Sequence, residues 1–130
     1  GNKYDAFKAA LVVLACSGTV ALELALARLP AVIAYRVSPV TAFLYRRLIK
    51  ARFANLVNIM HDRLVVPEFL QERCRPEKLA AACEVLLTDP VARATQSAEL
   101  EQTAGWLGQG DAKPSERAAR VVLKTAGLLP

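Results

Sequence analysis

The residues best suited to chemistry in this sequence are Ser17, Gly18 and Thr19, with Glu23 one helical turn further along. The apolar run 11–14 precedes them and an alanine- and leucine-rich segment follows, a pattern that predicts a strand, a tight turn and a helix. Such a junction directs backbone N–H groups and two hydroxyl groups toward one point, where an anionic phosphate is stabilised. Glycine at position 18 lets a phosphate approach without a Cβ in the way. The alternative is an ordinary helix cap.

Glu23 lies in a predicted helix that otherwise consists of Val, Ala and Leu. A helix that is apolar on all sides is usually buried, so this carboxylate needs a partner. Neither a capping box nor a cation one turn along supplies one, since the spacing from Thr19 is four and position 27 is alanine. A carboxylate one turn beyond a phosphate site is placed to accept hydrogen bonds from ribose hydroxyls. The stretch 17–23 therefore favours nucleotide binding over a plain helix cap.

The order of the predicted elements is typical of a parallel α/β sheet. A short helix over 3–10 precedes the first strand, the second strand covers 31–35, a helix covers 40–50, and a third strand covers 53–57. This order predicts a three-stranded parallel sheet with right-handed crossovers. Ligands of such sheets bind beyond the carboxyl ends of the strands, where three polar residues fall: Ser17, Arg36 and Asn58. The alternatives are a solvated loop cation for Arg36 and a turn residue for Asn58.

The rest of the chain is predicted to be helical after a loop over 59–66, in which His61 is expected to be exposed. Four helices are predicted to begin at prolines, which suit the first helical turn: Pro67, Pro76, Pro90 and Pro114. In the first of them, Glu68 and Gln71 share a face at a spacing of three and suit the hydroxyls of a sugar. Alternatively, Glu68 complements the helix dipole and Gln71 faces water. We expect one domain over 1–130, with a βαβαβ nucleotide-binding core over 1–58 and a helical C-terminal part over 59–130.

Composition excludes several classes of protein. The longest uncharged run, residues 9–22, is shorter than the roughly 18 apolar residues of a membrane-spanning helix, and no signal-peptide pattern is visible. The three cysteines show no Cys-x-x-Cys spacing and predict neither a disulfide framework nor a zinc site. A reducing, cytoplasmic compartment is expected, with no metal and no cofactor.

Positive charge is concentrated in one stretch of the chain. The net charge is +5, and no acidic residue lies between positions 24 and 61, where six cations lie: Arg28, Arg36, Arg46, Arg47, Lys50 and Arg52. Such a stretch suits phosphates, nucleic acid or an anionic membrane surface. Aromatic residues are few and do not alternate with the cations, which argues against nucleic acid. A non-enzymatic module that binds a membrane surface or a partner protein remains an alternative.

Five stretches of this sequence resemble the C-terminal part of the lipid A disaccharide synthase family, in order and with compatible spacing over essentially the whole chain. They are the stretch 15–26, the stretch 30–36, Asn58, the stretch 65–71 and the stretch 114–119. The sequence departs from the family pattern at Cys16, at Val57 and over 59–62. The resemblance implies half of a Rossmann-like GT-B domain within a longer enzyme, so this fragment alone is expected to be inactive.

The implied reaction transfers diacylglucosamine from UDP-diacylglucosamine to diacylglucosamine 1-phosphate in bacterial lipid A biosynthesis, without a metal. The implied place is the cytoplasmic face of the inner membrane, with peripheral membrane contact. A further alternative is another UDP-sugar glycosyltransferase or epimerase of the same fold. Since three parallel strands leave an exposed sheet edge, two copies of the chain are also expected to associate.

In that reaction, different candidate residues would bind different groups of the ligand. Donors of the turn at 17–19, helped by Arg36, would stabilise the departing diphosphate, and Glu23 would hold the ribose. Asn58, Glu68 and Gln71 would bind hydroxyls of the donor sugar or ribose. No residue is a convincing general base, and the resemblance implies that this role belongs to the missing N-terminal acceptor domain.

Overall fold

Three short parallel strands organise the part of the chain that the structure describes. The structure is a computed structural model, and it describes residues 2–16, 18–38, 41–42, 52–108 and 114–128. The elements in chain order are α1 (Lys3–Ala9), β1 (Val13–Cys16), α2 (Val20–Leu26), β2 (Ala31–Tyr35), α3 (Leu56–His61), β3 (Glu68–Leu70), a 3-10 helix (Gln71–Arg73), α4 (Pro76–Thr88), α5 (Pro90–Trp106) and α6 (Pro114–Thr125). Ser17 and most of the helix predicted over 40–50 lie outside the described residues.

The sheet has the order β1-β2-β3, with both pairs of strands parallel. Cys16 lies opposite Ala34, and Tyr35 lies opposite Leu70, so the three strands end at one common edge. β2 is the central strand and begins with three buried residues, as expected of an apolar strand covered on both faces. The predicted three-stranded parallel α/β sheet is confirmed.

The prediction of a third strand over 53–57 is wrong, because the third strand is Glu68–Leu70. The side chain of Asn55 accepts a hydrogen bond from the Val57 N–H at 2.9 Å, which makes Asn55 the N-cap of α3 instead of a strand residue. The helix predicted to begin at Pro67 is also wrong. Pro67 lacks an N–H group and suits the start of an edge strand, and its carbonyl accepts from the Ile33 N–H at 2.8 Å. The sheet therefore extends past residue 58.

The core lies between the sheet, α2 and α5. Leu24 and Ala25 of α2 pack with Ile33 of β2, Val57 of α3 and Leu100 of α5, and all five are almost completely buried. Burial of an aliphatic side chain of this kind stabilises a fold by about 1.5–3 kcal/mol. The core thus fixes α2, which carries Glu23, against the sheet.

Gln96 of α5 connects two segments of the sheet region. Its side-chain oxygen accepts from the Ala31 N–H at 2.7 Å, and its side-chain nitrogen donates to the Val65 carbonyl at 3.1 Å. The residue is buried, so both bonds form away from water. One helical side chain therefore holds the start of β2 and the segment that leads into β3.

The C-terminal helices agree with the sequence patterns. Asp89 caps α5 by accepting from the N–H groups of Val91 at 2.8 Å and Ala92 at 3.1 Å. α4 turns Leu86 into the protein, as its apolar stripe predicts. α6 is exposed along the length that the structure describes. Within the described ranges, no helix combines the length and apolar character needed to cross a bilayer.

Candidate functional site

Residues from different parts of the chain lie at the common edge at which the three strands end. Gly18 and Thr19 lie just beyond β1, Arg36 follows β2 directly, and Gln71 follows β3 directly. The sequence predicted Ser17, Arg36 and Asn58 at this edge. The structure places Gln71 where Asn58 was expected, because β3 ends at Leu70.

The turn between β1 and α2 is open. Gly18 has a φ of 145°, a conformation that L side chains rarely adopt, and a Cβ at this position would meet nothing within 4 Å. Thr19 is the N-cap residue of α2, but its side chain makes no capping hydrogen bond, and it is exposed. The N–H groups of Ala21 and Leu22 already donate to the carbonyls of Gly18 at 3.2 Å and Thr19 at 3.0 Å, so the turn offers its hydroxyl group and its open backbone rather than those two donors. This turn is therefore accessible to a ligand from outside.

Glu23 finds its partner at a distance in sequence that no local pattern reveals. The Lys3 ammonium donates to both carboxylate oxygens of Glu23 at 2.9 Å, and this contact raises the pKa of Lys3. The side chains retain 54% and 31% of their exposure, so the pair contributes little to stability and exchanges readily with solvent. The carboxylate is therefore reachable by a polar ligand that replaces Lys3.

The cations that the sequence grouped together have different surroundings. Arg36 is exposed just past the end of β2. Arg28 forms an ion pair with Glu101 at 3.2 Å, and the guanidinium of Arg52 lies 5.2 Å from the centre of the Phe53 ring. Arg46, Arg47 and Lys50 lie outside the described residues. Of Arg28, Arg36 and Arg52, Arg36 is the one that directly follows a strand of the sheet.

Asn58 is not at a strand end, which corrects its predicted position. It lies within α3 and is completely buried. Its side-chain oxygen accepts from the N–H groups of Val65 at 2.9 Å and Val66 at 2.8 Å, and its side-chain nitrogen donates to the Val66 carbonyl at 2.8 Å. Asn58 therefore ties α3 to the segment that precedes β3. A contact with a ligand stays a prediction.

Glu68 lies in β3 and Gln71 in the 3-10 helix, so the prediction that they share a helix face is wrong. The Glu68 carboxylate accepts from the backbone N–H groups of Asn55 at 2.8 Å and Ala54 at 3.2 Å. These N–H groups lie at the start of α3, where an anionic side chain complements the helix dipole. Glu68 thus connects β3 to the start of α3, and Asn58 connects α3 to the segment that precedes β3. The contacts of both residues with a ligand stay predictions.

His61 is buried, with 2% of its side chain exposed, so the prediction of an exposed loop residue is wrong. Thr103 donates to the Glu99 carbonyl at 3.0 Å, so its oxygen accepts from Nε2 of His61 at 2.8 Å. The Trp106 ring lies 4.5 Å from the His61 ring, centre to centre. Two residues of α5 that are three apart, Thr103 and Trp106, thus contact a histidine whose burial sequence reasoning missed. In the sequence, the one indication that His61 is buried is the mainly apolar stretch 56–60 that precedes it.

Charge around His61 is balanced by an ion pair. Burial lowers the pKa of His61, Glu99 opposes this effect, and Arg63 adds to it. Glu99 pairs with Arg63, and this hydrogen bond lowers the pKa of the Glu99 carboxyl. Nδ1 of His61 lies 3.5 Å from a Glu99 oxygen, so a proton gained there would face a carboxylate.

The free energy of unfolding should fall as pH decreases from about 6.5, because the unfolded chain binds a proton on His61 more readily than the folded chain does. The slope is limited to about 1.4 kcal/mol per pH unit for one proton. Urea unfolding at pH 7.5, 6.5 and 5.5 measures it. Since His61 is the only histidine, the His61→Gln variant should show a clearly smaller slope over this range. An unchanged slope in that variant would assign the effect to another group.

Among the residues that the structure describes, no three His, Cys, Asp or Glu side chains are grouped so that they could hold a metal ion. The three cysteines are free thiols, and burial raises the pKa of Cys83. The polar groups that follow the strand ends are the Thr19 hydroxyl, the Arg36 guanidinium and the Gln71 amide. Such groups suit an anionic, hydroxyl-rich ligand.

This chain is similar to proteins of one known family. Residues 1–122 match the family described as lipid-A-disaccharide synthetase. The chain belongs to that family. The resemblance found in the sequence is therefore confirmed.

Similar proteins named lipid-A-disaccharide synthase occur in several bacteria. The protein of Rhodospirillum centenum is 60% identical over 122 residues, which are 94% of this chain and 30% of that protein. The protein of Paramagnetospirillum magneticum is 56% identical over 124 residues, or 94% of this chain and 32% of that protein. The protein of Nitrobacter hamburgensis is 44% identical over 124 residues, which are 95% of this chain and 31% of that protein. The chain thus spans about 30% of the length of these curated relatives.

Proposed function

We propose that this chain is the UDP-sugar-binding, C-terminal part of a longer glycosyltransferase of lipid A biosynthesis. The whole enzyme would transfer diacylglucosamine from UDP-diacylglucosamine to diacylglucosamine 1-phosphate at the cytoplasmic face of the inner membrane. The observation that carries the proposal is the family match over residues 1–122. The acceptor domain and the general base would lie outside this chain, so the chain alone would be inactive.

The geometry at the strand edge supports a site for the nucleotide. The open turn at Gly18 and Thr19 would receive the diphosphate, with Arg36, which follows the adjacent strand, as the cation. Ser17 lies outside the described residues, and its contact with the diphosphate stays a prediction. Glu23 lies one helical turn beyond Thr19 and would accept hydrogen bonds from the ribose hydroxyls once Lys3 moves away. Fixed donors and a cation at a departing diphosphate stabilise the charge that develops as the glycosidic bond breaks.

The remaining predicted residues enter this proposal through the backbone that they hold. Asn58 and Glu68 direct their polar atoms to backbone groups of the protein. They would therefore shape the floor of the site by fixing α3 relative to β3. The core of Leu24, Ala25 and Ile33 would keep α2 rigid beneath the ligand.

Titration of the complete protein that contains this sequence with UDP tests the proposal. We expect saturable binding by calorimetry and, in amide NMR spectra, shifts confined to Gly18, Thr19, Glu23, Arg36 and their neighbours. Uridine is the matched control, because it keeps the base and ribose but lacks the diphosphate. It should bind at least tenfold more weakly if the turn recognises phosphate, since charge-assisted hydrogen bonds contribute about 1.5–3 kcal/mol.

Two other results would support different functions. Binding to vesicles that contain anionic lipid, without any UDP-induced shift, would favour a membrane-surface module. UDP binding without turnover of diacylglucosamine 1-phosphate, but with turnover of another acceptor, would favour a different UDP-sugar enzyme of the same fold. Sedimentation of this chain by itself would show whether two copies associate, as the exposed edge of a three-stranded sheet predicts.

A further inference from the structure

Gln71 has an unusual backbone conformation at the point where β3 ends. Its φ is 49°, in the left-handed region that non-glycine residues seldom occupy. It is also the first residue of the 3-10 helix. Such a conformation persists only where surrounding contacts hold it, so the contacts of this residue indicate what it does.

The side chain of Gln71 reaches across to the segment after β2. The two atoms of an amide are assigned from the hydrogen bonds that they make. With its oxygen toward the Val37 N–H, Gln71 accepts from that group at 3.2 Å and donates to the Val37 carbonyl at 3.2 Å. One side chain therefore satisfies both backbone groups of Val37, in the manner of one further step of the β2-β3 ladder.

This clamp acts immediately beside Arg36. Tyr35 lies opposite Leu70 in the sheet, so Arg36 and Gln71 are the next residues past the end of the pairing. Fixing the backbone of Val37 fixes the residue that precedes it. Arg36 is exposed, and no other backbone hydrogen bond of Val37 is found in the described part of the chain. The position of the Arg36 backbone is therefore set by β2 on one side and by Gln71 on the other.

We propose that Gln71 is a positioning residue that holds Arg36 at the nucleotide site by clamping the backbone of Val37. This inference rests on the proposed function, in which Arg36 is the cation for the diphosphate. It differs from a direct contact between Gln71 and a sugar hydroxyl, because each polar atom of the amide bonds the backbone of Val37.

A double-mutant cycle on UDP affinity, in the complete protein, separates the two roles. Gln71→Ala and Arg36→Ala should each weaken UDP binding by about tenfold, the size expected for one charge-assisted contact. If Gln71 acts through Arg36, the double variant should bind within about twofold of Arg36→Ala. If Gln71 contacts the ligand itself, the two losses should multiply to about a hundredfold, which would overturn the proposal.

A second measurement does not depend on the ligand. Hydrogen exchange of the Val37 amide should become at least tenfold faster in Gln71→Asn, whose side chain keeps an amide and tolerates a left-handed backbone but is one methylene shorter. Unchanged exchange at Val37 would overturn the clamp even where the Ala variant fails to fold. Normal UDP affinity of Arg36→Ala would refute the role of Arg36, and absent UDP binding in the wild type would refute the proposed function. The exchange result would still report on the clamp in both cases.

Discussion

Replacing Asn58 with alanine should lower the free energy of unfolding by about 3 kcal/mol, a large fraction of the stability of a domain of this size. The physical reason is the burial of its partners. Asn58 is completely buried and pairs with the N–H groups of Val65 and Val66 and with the Val66 carbonyl. Without the amide, the N–H and the carbonyl of Val66 would lose this partner inside the protein, at about 1–3 kcal/mol for each unsatisfied group. The Val65 N–H would keep a second acceptor, the Arg63 carbonyl at 3.1 Å.

Urea denaturation of the chain, followed by circular dichroism, measures this loss. Ile59→Ala is the matched control, because Ile59 is the next residue of α3 and is 47% exposed. That variant should lose less than about 1 kcal/mol. A loss for Asn58→Ala no greater than that of the control would mean that the loop before β3 is held by other contacts.

Replacing Glu23 with glutamine should weaken UDP binding by about 10- to 100-fold in the complete protein. The substitution keeps the size of the side chain but removes the negative charge of the carboxylate, which would accept hydrogen bonds from the ribose hydroxyls. Hydrogen bonds to a charged group contribute about 1.5–3 kcal/mol, and 1.4 kcal/mol corresponds to a factor of ten in affinity. Calorimetric titration with UDP provides the measurement.

Two controls accompany the Glu23 variant. Glu84→Gln removes an exposed carboxylate from α4 and should leave UDP affinity unchanged. Lys3→Ala removes the cation that occupies both oxygens of Glu23 and should bind UDP at least as tightly as the wild type. Equal losses for Lys3→Ala and Glu23→Gln would contradict the proposed role, because the ion pair rather than the free carboxylate would then recognise the nucleotide.

The sequence was most informative where one local pattern decides the structure. The apolar run 31–35 became the central strand, and Asp89 followed by Pro90 marked the start of α5. The Gly18 turn was predictable because a short apolar run, a small-residue break and a helix-forming segment follow one another. These features depend on neighbours in sequence, and sequence patterns report neighbours in sequence well.

The errors came from residues whose partners are distant along the chain. The strand predicted over 53–57 is wrong because the Asn55 N–H donates to the Glu68 carboxylate, which lies 13 residues further along the chain. The ion pair of Lys3 with Glu23 and the burial of His61 by α5 likewise depend on tertiary packing. Periodicity carries no information about such contacts, so residue types alone could not assign these side chains.

The hydrogen bonds of Gln96 have a consequence for how the protein folds during synthesis. Its bond to Ala31 spans 65 residues of the chain, and its bond to Val65 spans 31. The start of the central strand therefore obtains this partner only after Gln96 of α5 has left the ribosome. Contacts of such wide sequence separation slow folding, because a long loop must close before they form. Until then the unpaired strand edges and their apolar surface would be prone to aggregation.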